Sequence, residues 1–165
     1  MAVDIKGNRE AVKSQRLLVA ADDADGTVSG NVPATLGLSL GTAASFGPFT
    51  PGVPKDYTAG TVANVISTAG NATLSVSDGG PNPGHLMNGT FKMPQPLQAT
   101  ASSMGGVAAA GGTVSAAVLS LLNYSAPVSN DSVTVQFKQP VGSTDALRTG
   151  AYSKSLTFTL STTNP

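Results

Sequence analysis

The stretch LRTGAYSKSLTFTLS, Leu147–Ser161, decides the fold class of this chain. Near its end, one parity holds only serine and threonine, and the other holds Lys154, Leu156, Phe158 and Leu160. Strict alternation with a period of two, rich in threonine and aromatic residues, is typical of a half-buried β-strand. The stretch therefore predicts that the chain ends in a long strand of an antiparallel sheet.

A glycine and a tyrosine precede this strand, at Gly150 and Tyr152. The pair resembles the tyrosine corner of immunoglobulin-like sandwiches, in which a tyrosine near a strand start bonds back to upstream backbone. We therefore assign Gly150 and Tyr152 as a structural corner. The fold that this implies is all-β, an immunoglobulin-like antiparallel β-sandwich.

The composition also favours short strands joined by turns. The chain has 165 residues, of which 19 are Gly and 11 are Pro, and only 11% are charged. An average soluble domain has about 25% charged residues. The length predicts one domain with one core, and the low charge predicts a surface kept soluble mainly by serine, threonine and asparagine.

Hydrophobic patterning along the chain predicts about eight strands. Leu36, Leu38 and Leu40 alternate with small residues in a strand expected from Val32. Met104–Ala117 is rich in Gly and Ala and is either a flexible loop or a flat strand. The other strands are predicted at Tyr57–Ser67, Ala72–Ser77, Thr90–Met93, Leu97–Ala101, Val118–Tyr124 and Val133–Lys138, before the final strand.

Several kinds of chemistry are excluded or disfavoured. The chain has no Cys, and its net charge of zero offers no basic field to attract nucleic acid. The single histidine, His85, lies in a Pro/Gly-rich loop, and the acids beyond the first 30 residues lie in or beside predicted turns, where Asp usually caps backbone N–H groups. The Asp22–Gly26 stretch starts like a calcium loop, but the twelfth position counted from Asp23 is Ala34 instead of Glu. We therefore expect no enzyme activity, no cofactor and no metal.

Residues 1–30 differ from the rest of the chain, because they carry four of the nine basic and five of the nine acidic residues. Asn8–Ala20 fits a short helix, and Arg16–Ala21 fits an edge strand equally well. The segment is a first sandwich strand, a disordered leader, or an arm that docks on another chain. For the docking arm, which we prefer, the candidate contact residues are Ile5, Arg9, Val12, Lys13, Arg16, Leu17, Leu18 and Val19.

The same segment contains no secretory signal peptide, because its only apolar run is Leu17–Ala21 and a signal needs roughly 7–15 apolar residues. No stretch approaches the roughly 20 apolar residues of a membrane helix. We therefore expect either export without a classical signal or a piece of a longer exported protein, and no membrane partner.

Much of the amino-acid sequence from Val32 onward is similar to that of a known type of domain. The chain resembles an immunoglobulin-like β-sandwich module of large secreted proteins from high-GC Gram-positive bacteria, often placed at their C-termini. Modules of this type also occur on bacteriophage virions. The segments that carry the resemblance are PATLGLSLG (33–41), ASFGPFTPGVPKDYTA (44–59), ANVISTAGNATLSVSD (63–78), GHLMNGTF (84–91) and Ala126–Pro165. Residues 1–21 are not part of it.

The resemblance and the arm together predict a non-enzymatic display protein. It would dock on a larger protein assembly in many copies, as a decoration protein on the surface of a phage capsid or tail. The alternative is a secreted or cell-surface adhesion or carbohydrate-binding module. Glycan binding is disfavoured because the chain has no Trp and its three tyrosines occupy positions expected in the core or at the corner.

Overall fold

A computed structural model describes residues 27–163 of the chain. The chain divides into two units, Met1–Asn31 and Val32–Pro165. The described part of the first unit, residues 27–31, is exposed and has no regular secondary structure. The predicted docking-arm residues, Ile5 to Val19, and the Asp22–Gly26 stretch lie outside the described residues.

The second unit is all-β. Its described residues, 32–163, form eleven strands, four of which have only two residues. No helix in the described part of the chain is long and apolar enough to cross a membrane. In chain order, the strands are β1 Leu36–Leu40, β2 Lys55–Ser67, β3 Ala72–Ser77, β4 Met87–Asn88, β5 Phe91–Lys92, β6 Gln98–Ser102, β7 Val107–Ala108, β8 Gly112–Thr113, β9 Leu119–Tyr124, β10 Val128–Val141 and β11 Thr157–Ser161.

The strands form two larger antiparallel sheets and one small one. The first sheet has the order β1-β2-β10-β6-β8, the second has the order β11-β3-β9-β7, and β4 pairs with β5. The long pair β2 and β10 lies at the centre of the first sheet, with Val133 opposite Ala63. β1 lies at one edge of the first sheet, β11 lies at one edge of the second, and the two strands contact each other.

Both larger sheets contribute to one hydrophobic core, which gives a β-sandwich-like arrangement. Alternating residues of β2, β6 and β10 meet residues of β3 and β9, as expected when the inner faces of two sheets pack together. Central core residues are almost wholly removed from water, and those with 0% exposure include Val65, Leu74, Leu121, Leu122, Val133 and Val135.

The all-β prediction is confirmed, but several details differ. The first strand begins at Leu36 instead of Val32, and β10 begins at Val128 instead of Val133. β10 has a register shift between Val128 and Asp131, where Asn130 adopts a φ of 55°, and such a bulge interrupts the alternation on which sequence patterning depends. The count of about eight strands and the immunoglobulin-like order are not confirmed.

The C-terminal strand is also shorter than predicted. Only Thr157–Ser161 pairs with β3, and this strand lies at a sheet edge. Its two inward residues, Phe158 and Leu160, lie opposite Val76 and Leu74 and remain half-buried. The Met104–Ala117 tract combines both predicted forms, because the two-residue strands β7 and β8 are embedded in loop.

Candidate functional site

The outer edge of β1 carries backbone groups that the described sheet does not pair. Gly41 N–H donates to Val62 O at 2.7 Å, and Thr68 N–H donates to Thr35 O at 3.0 Å. In the β1–β2 register these two pairs lie an even number of residues apart, so Gly37 and Ser39 also face β2. The N–H and C=O groups of Leu36, Leu38 and Leu40 therefore point away from the sheet, as at any edge strand.

This edge lacks the features that usually protect edge strands. β1 reads LGLSL, with no charged residue, no proline and no bulge in its pairing with β2. Leu38 packs against the core, and Leu36 and Leu40 share its parity, yet they remain 44% and 49% exposed. The inward leucines of β1 therefore cover the core only partly.

A cavity of about 460 Å³ opens on the same side of the sandwich. Its lining includes Leu40 of β1, Phe158 of β11 and Leu156 just before β11. The connection between β1 and β2 contributes Phe46 and Phe49. β1, β11 and this cavity together form an apolar, incompletely covered margin, which we call the open edge.

Aromatic residues hold the connection between β1 and β2 in place beside the open edge. The Phe49 ring packs edge-on against Tyr57 at 4.9 Å and Tyr152 at 6.3 Å between centroids. The buried Tyr57 hydroxyl accepts a hydrogen bond from Thr50 N–H at 2.8 Å. These contacts hold Phe49 and Tyr152, which both line the cavity, in place.

Tyr152 of the predicted structural corner belongs to the same ring cluster. Tyr152 Oη accepts a hydrogen bond from Arg148 N–H at 2.8 Å, four residues upstream. Gly150 has a φ of 136°, and a Cβ there would lie 2.6 Å from Asn88 Nδ2. These contacts fix the chain before β11, but equivalence to an immunoglobulin tyrosine corner stays a prediction.

A buried ion pair joins the end of β3 to the segment before β11. Lys154 Nζ lies 2.9 Å from Asp78 Oδ2, and their side chains are 7% and 1% exposed. Lys154 also donates to the carbonyls of Pro81 and Asn82, at 2.6 and 3.2 Å. Every donor of the ammonium group therefore has an acceptor.

The other partners of Asp78 are backbone amides. Gly80 N–H donates to Oδ1 at 2.9 Å, and Gly84 N–H donates to Oδ2 at 2.6 Å. Burial raises the pKa of Asp78, but the hydrogen bonds from Lys154, Gly84 and Gly80 outweigh it and leave the pKa below its ordinary value. The carboxylate is held charged and fully engaged, which suits a structural clamp for the 78–84 loop.

A second buried polar contact ties β9 to β10. Tyr124, which is 3% exposed, donates its hydroxyl to Asp131 Oδ2 at 2.9 Å. Asp131 Oδ1 accepts Gly105 N–H at 3.1 Å. Burial and the hydrogen bond to Asp131 raise the pKa of Tyr124 to about 12. The hydroxyl is therefore held protonated as a donor.

The remaining candidate residues have structural partners. His85 Nδ1 donates to Met93 O at 2.7 Å. Asp145 accepts Gly142 N–H at 2.8 Å, so Asp78, Asp131 and Asp145 all cap backbone amides, as predicted. Asp56 lies in β2 and pairs instead with Lys138 at 3.4 Å on the surface. Among residues 27–163, no group of three or more His, Asp or Glu side chains could hold a metal ion.

Sequence patterning missed the two most informative features of this side of the molecule. Lys154 shares its parity in the sequence with Leu156, Phe158 and Leu160, but its partner Asp78 is distant in sequence and no local pattern predicts the pair. The open edge was missed because alternation in LGLSL indicates a strand without indicating whether both of its sides are paired.

Comparisons with protein-family models, with curated proteins and with solved structures found no match to this chain.

Proposed function

We propose that this chain is a non-enzymatic structural module, an immunoglobulin-like sandwich that attaches to a larger protein assembly through residues 1–30. The assembly that fits best is a phage virion, on whose capsid or tail the module would be a multi-copy decoration protein. The single observation that supports docking on another protein is the open edge. An uncharged, unprotected edge strand beside a half-covered core is a surface that soluble monomers usually avoid.

The carboxylates of the sandwich have structural partners, and this supports a non-catalytic role. Asp78, Asp131 and Asp145 cap backbone amides, and Asp56 pairs with Lys138. A general acid or base needs a titratable group that can reach a substrate. In the described part of the chain, the carboxylates serve turns and strand contacts instead.

Immunogold labelling tests the place of the module directly. An antibody against the sandwich is applied to purified phage particles and to intact cells from the same source. Regular labelling of capsids or tails is the expected result. Labelling confined to the cell wall would contradict the virion proposal.

Deletion of residues 1–21 tests the attachment itself. The core residues lie between Ala63 and Phe137, so the truncated sandwich should unfold cooperatively like the full chain. We expect it to be absent from assembled particles. Normal incorporation of a folded truncated chain would show that attachment does not use this segment.

The alternative function is a secreted or cell-surface adhesion or carbohydrate-binding module. The observation that favours it is the cavity of about 460 Å³ with Phe46, Phe49 and Tyr152 on its lining. Saturable binding on a glycan array, weakened by Tyr152→Ala and unaffected by Tyr124→Phe, would support this function. Uniformly null arrays with the folded protein would exclude the glycans tested.

A further inference from the structure

The open edge has the geometry of an acceptor for one more strand. Leu36, Leu38 and Leu40 direct three N–H and three C=O groups away from β2, as their pairing with β2 requires. An extended segment that adds to such an edge gains main-chain hydrogen bonds, and its alternate side chains fill the space beside the core. The half-exposed Leu36 and Leu40 mark where those side chains would pack.

Residues 1–26 contain one run that fits this acceptor. Leu17–Ala21 has five consecutive apolar residues, the same number as β1. As a strand, Leu17, Val19 and Ala21 fall on one parity, and Arg16 and Leu18 fall on the other. The purely apolar parity suits the core side of the sandwich, and the parity with Arg16 suits the solvent side.

The connection to the sandwich is long enough to reach a neighbouring copy. Fourteen residues, 22–35, separate Ala21 from Leu36. At about 3.3 Å per extended residue, they span up to roughly 45 Å. Asp22, Asp23 and Asp25 keep the start of this connection polar, so the apolar run is followed by a segment suited to solvent.

We propose that residues Leu17–Ala21 of one copy add as a strand to the free edge of β1 in a second copy of this chain. This proposal rests on the proposed function, because it names the acceptor that attachment through residues 1–30 requires. Each copy donates one strand and accepts one. Two copies can therefore exchange strands reciprocally in a closed dimer, or successive copies can link head to tail in a ring or an open row of subunits, as on a repetitive particle surface.

Two double variants of the full-length chain separate donor from acceptor. Leu17→Lys/Val19→Lys disables the donor strand, and Leu36→Lys/Leu40→Lys places charges on the acceptor edge. The first control is Leu18→Lys, on the opposite parity of the donor. The second is Val107→Lys, because Val107 is 70% exposed on β7, which lies at the other end of its sheet from β11.

Sedimentation velocity over a concentration series measures self-association of each protein. The wild-type chain and both controls should associate, and each double variant alone should be at least about tenfold weaker, because a lysine in an apolar contact carries an unpaired charge there. Mixing the two double variants should restore a one-to-one complex. In that mixture, one protein still has an intact donor strand and the other has an intact acceptor edge.

A fluorescent peptide of residues 14–23 provides a second readout that needs no folded edge variant. It should bind saturably to the full-length Leu17→Lys/Val19→Lys protein, and a peptide carrying the same two lysines should not bind. Monomeric wild-type protein at every concentration, no complex in the mixture, or no peptide binding would each overturn the proposal.

Particle incorporation separates this proposal from the proposed function. If the Leu36→Lys/Leu40→Lys protein is folded and still decorates particles at the wild-type level, residues 1–30 dock on a different subunit. In that case the acceptor named here is wrong and the decoration proposal stands. If wild-type protein is absent from particles but the mixture forms its complex, the decoration proposal fails and the acceptor stands.

Discussion

At the scale of single residues, the buried ion pair of Lys154 and Asp78 is expected to contribute strongly to the free energy of unfolding. Lys154→Met leaves the Asp78 carboxylate 1% exposed without its cation, and removing one partner of a buried pair costs about 3–5 kcal/mol. The matched control is Lys138→Met, which removes a lysine from an exposed pair with Asp56 and should cost less than about 1 kcal/mol. Urea unfolding measures the loss of stability of both variants. Equal losses would contradict the role of the Asp78–Lys154 pair as a structural clamp for the 78–84 loop.

Gly84 is a second residue whose identity the structure requires. It has a φ of 78°, and a Cβ there would overlap the carbonyl oxygen of Val114. Gly52 has a φ of 77°, but a Cβ there would meet nothing within 4 Å. Gly52→Ala should therefore cost about 1–2 kcal/mol for the left-handed backbone alone. Gly84→Ala should lower the free energy of unfolding by clearly more than Gly52→Ala does. Similar losses for the two variants would show that the Val114 backbone can move to make room for the added Cβ.

Tyr124 predicts how stability responds to alkaline pH. Burial raises its pKa to about 12 in the folded chain, against about 10 when the chain is unfolded. Between these values the unfolded chain releases the proton first, so the free energy of unfolding falls as pH rises from about 10 to about 12. Absorbance titration should show one of the three tyrosines ionising late.

Tyr124→Phe is the check on this assignment. The variant should lose the late titration and part of the alkaline decline in stability. A wild-type protein without a late-ionising tyrosine would contradict the buried hydrogen bond to Asp131.

At the scale of elements, β1 predicts different responses to proline at neighbouring positions. Ser39 faces β2 with its N–H, so Ser39→Pro removes a ladder hydrogen bond and should lower the free energy of unfolding by about 1–3 kcal/mol. Leu40 directs its N–H away from β2, and proline is tolerated where an edge N–H faces outward. Leu40→Pro should therefore unfold at a higher temperature than Ser39→Pro, and the reverse order would show that the pairing is shifted by one residue.

The same elements show how far sequence reasoning reaches. Alternation in Tyr57–Ser67 and Ala72–Ser77 predicts β2 and β3 closely, because one face of each strand enters the core. It misses the first residues of β10, since the bulge at Asn130 breaks the period. It also predicts a C-terminal strand that is too long. The alternation in LTFTL indicates that one face of the strand is half-buried, but it is the same for a central strand and for an edge strand.

At the scale of the whole molecule, the candidate site depends on information that local patterns do not carry. The apolar alternation of β1 is visible in the sequence, but its free side depends on sheet order. The partial exposure of Leu36 and Leu40 depends on how β1 and β11 meet across the core. The docking arm was inferred from the uneven distribution of charge and remains a prediction, because Ile5 to Val19 lie outside the described residues.

The most direct test of the open edge as a docking surface is amide hydrogen exchange on the full-length chain at low and high concentration. Leu36, Leu38 and Leu40 should exchange fast in dilute solution and become protected as the chain associates. Gly37 and Ser39, whose amides already face β2, serve as internal controls and should change little. Association without any new protection at the three leucines would contradict the account.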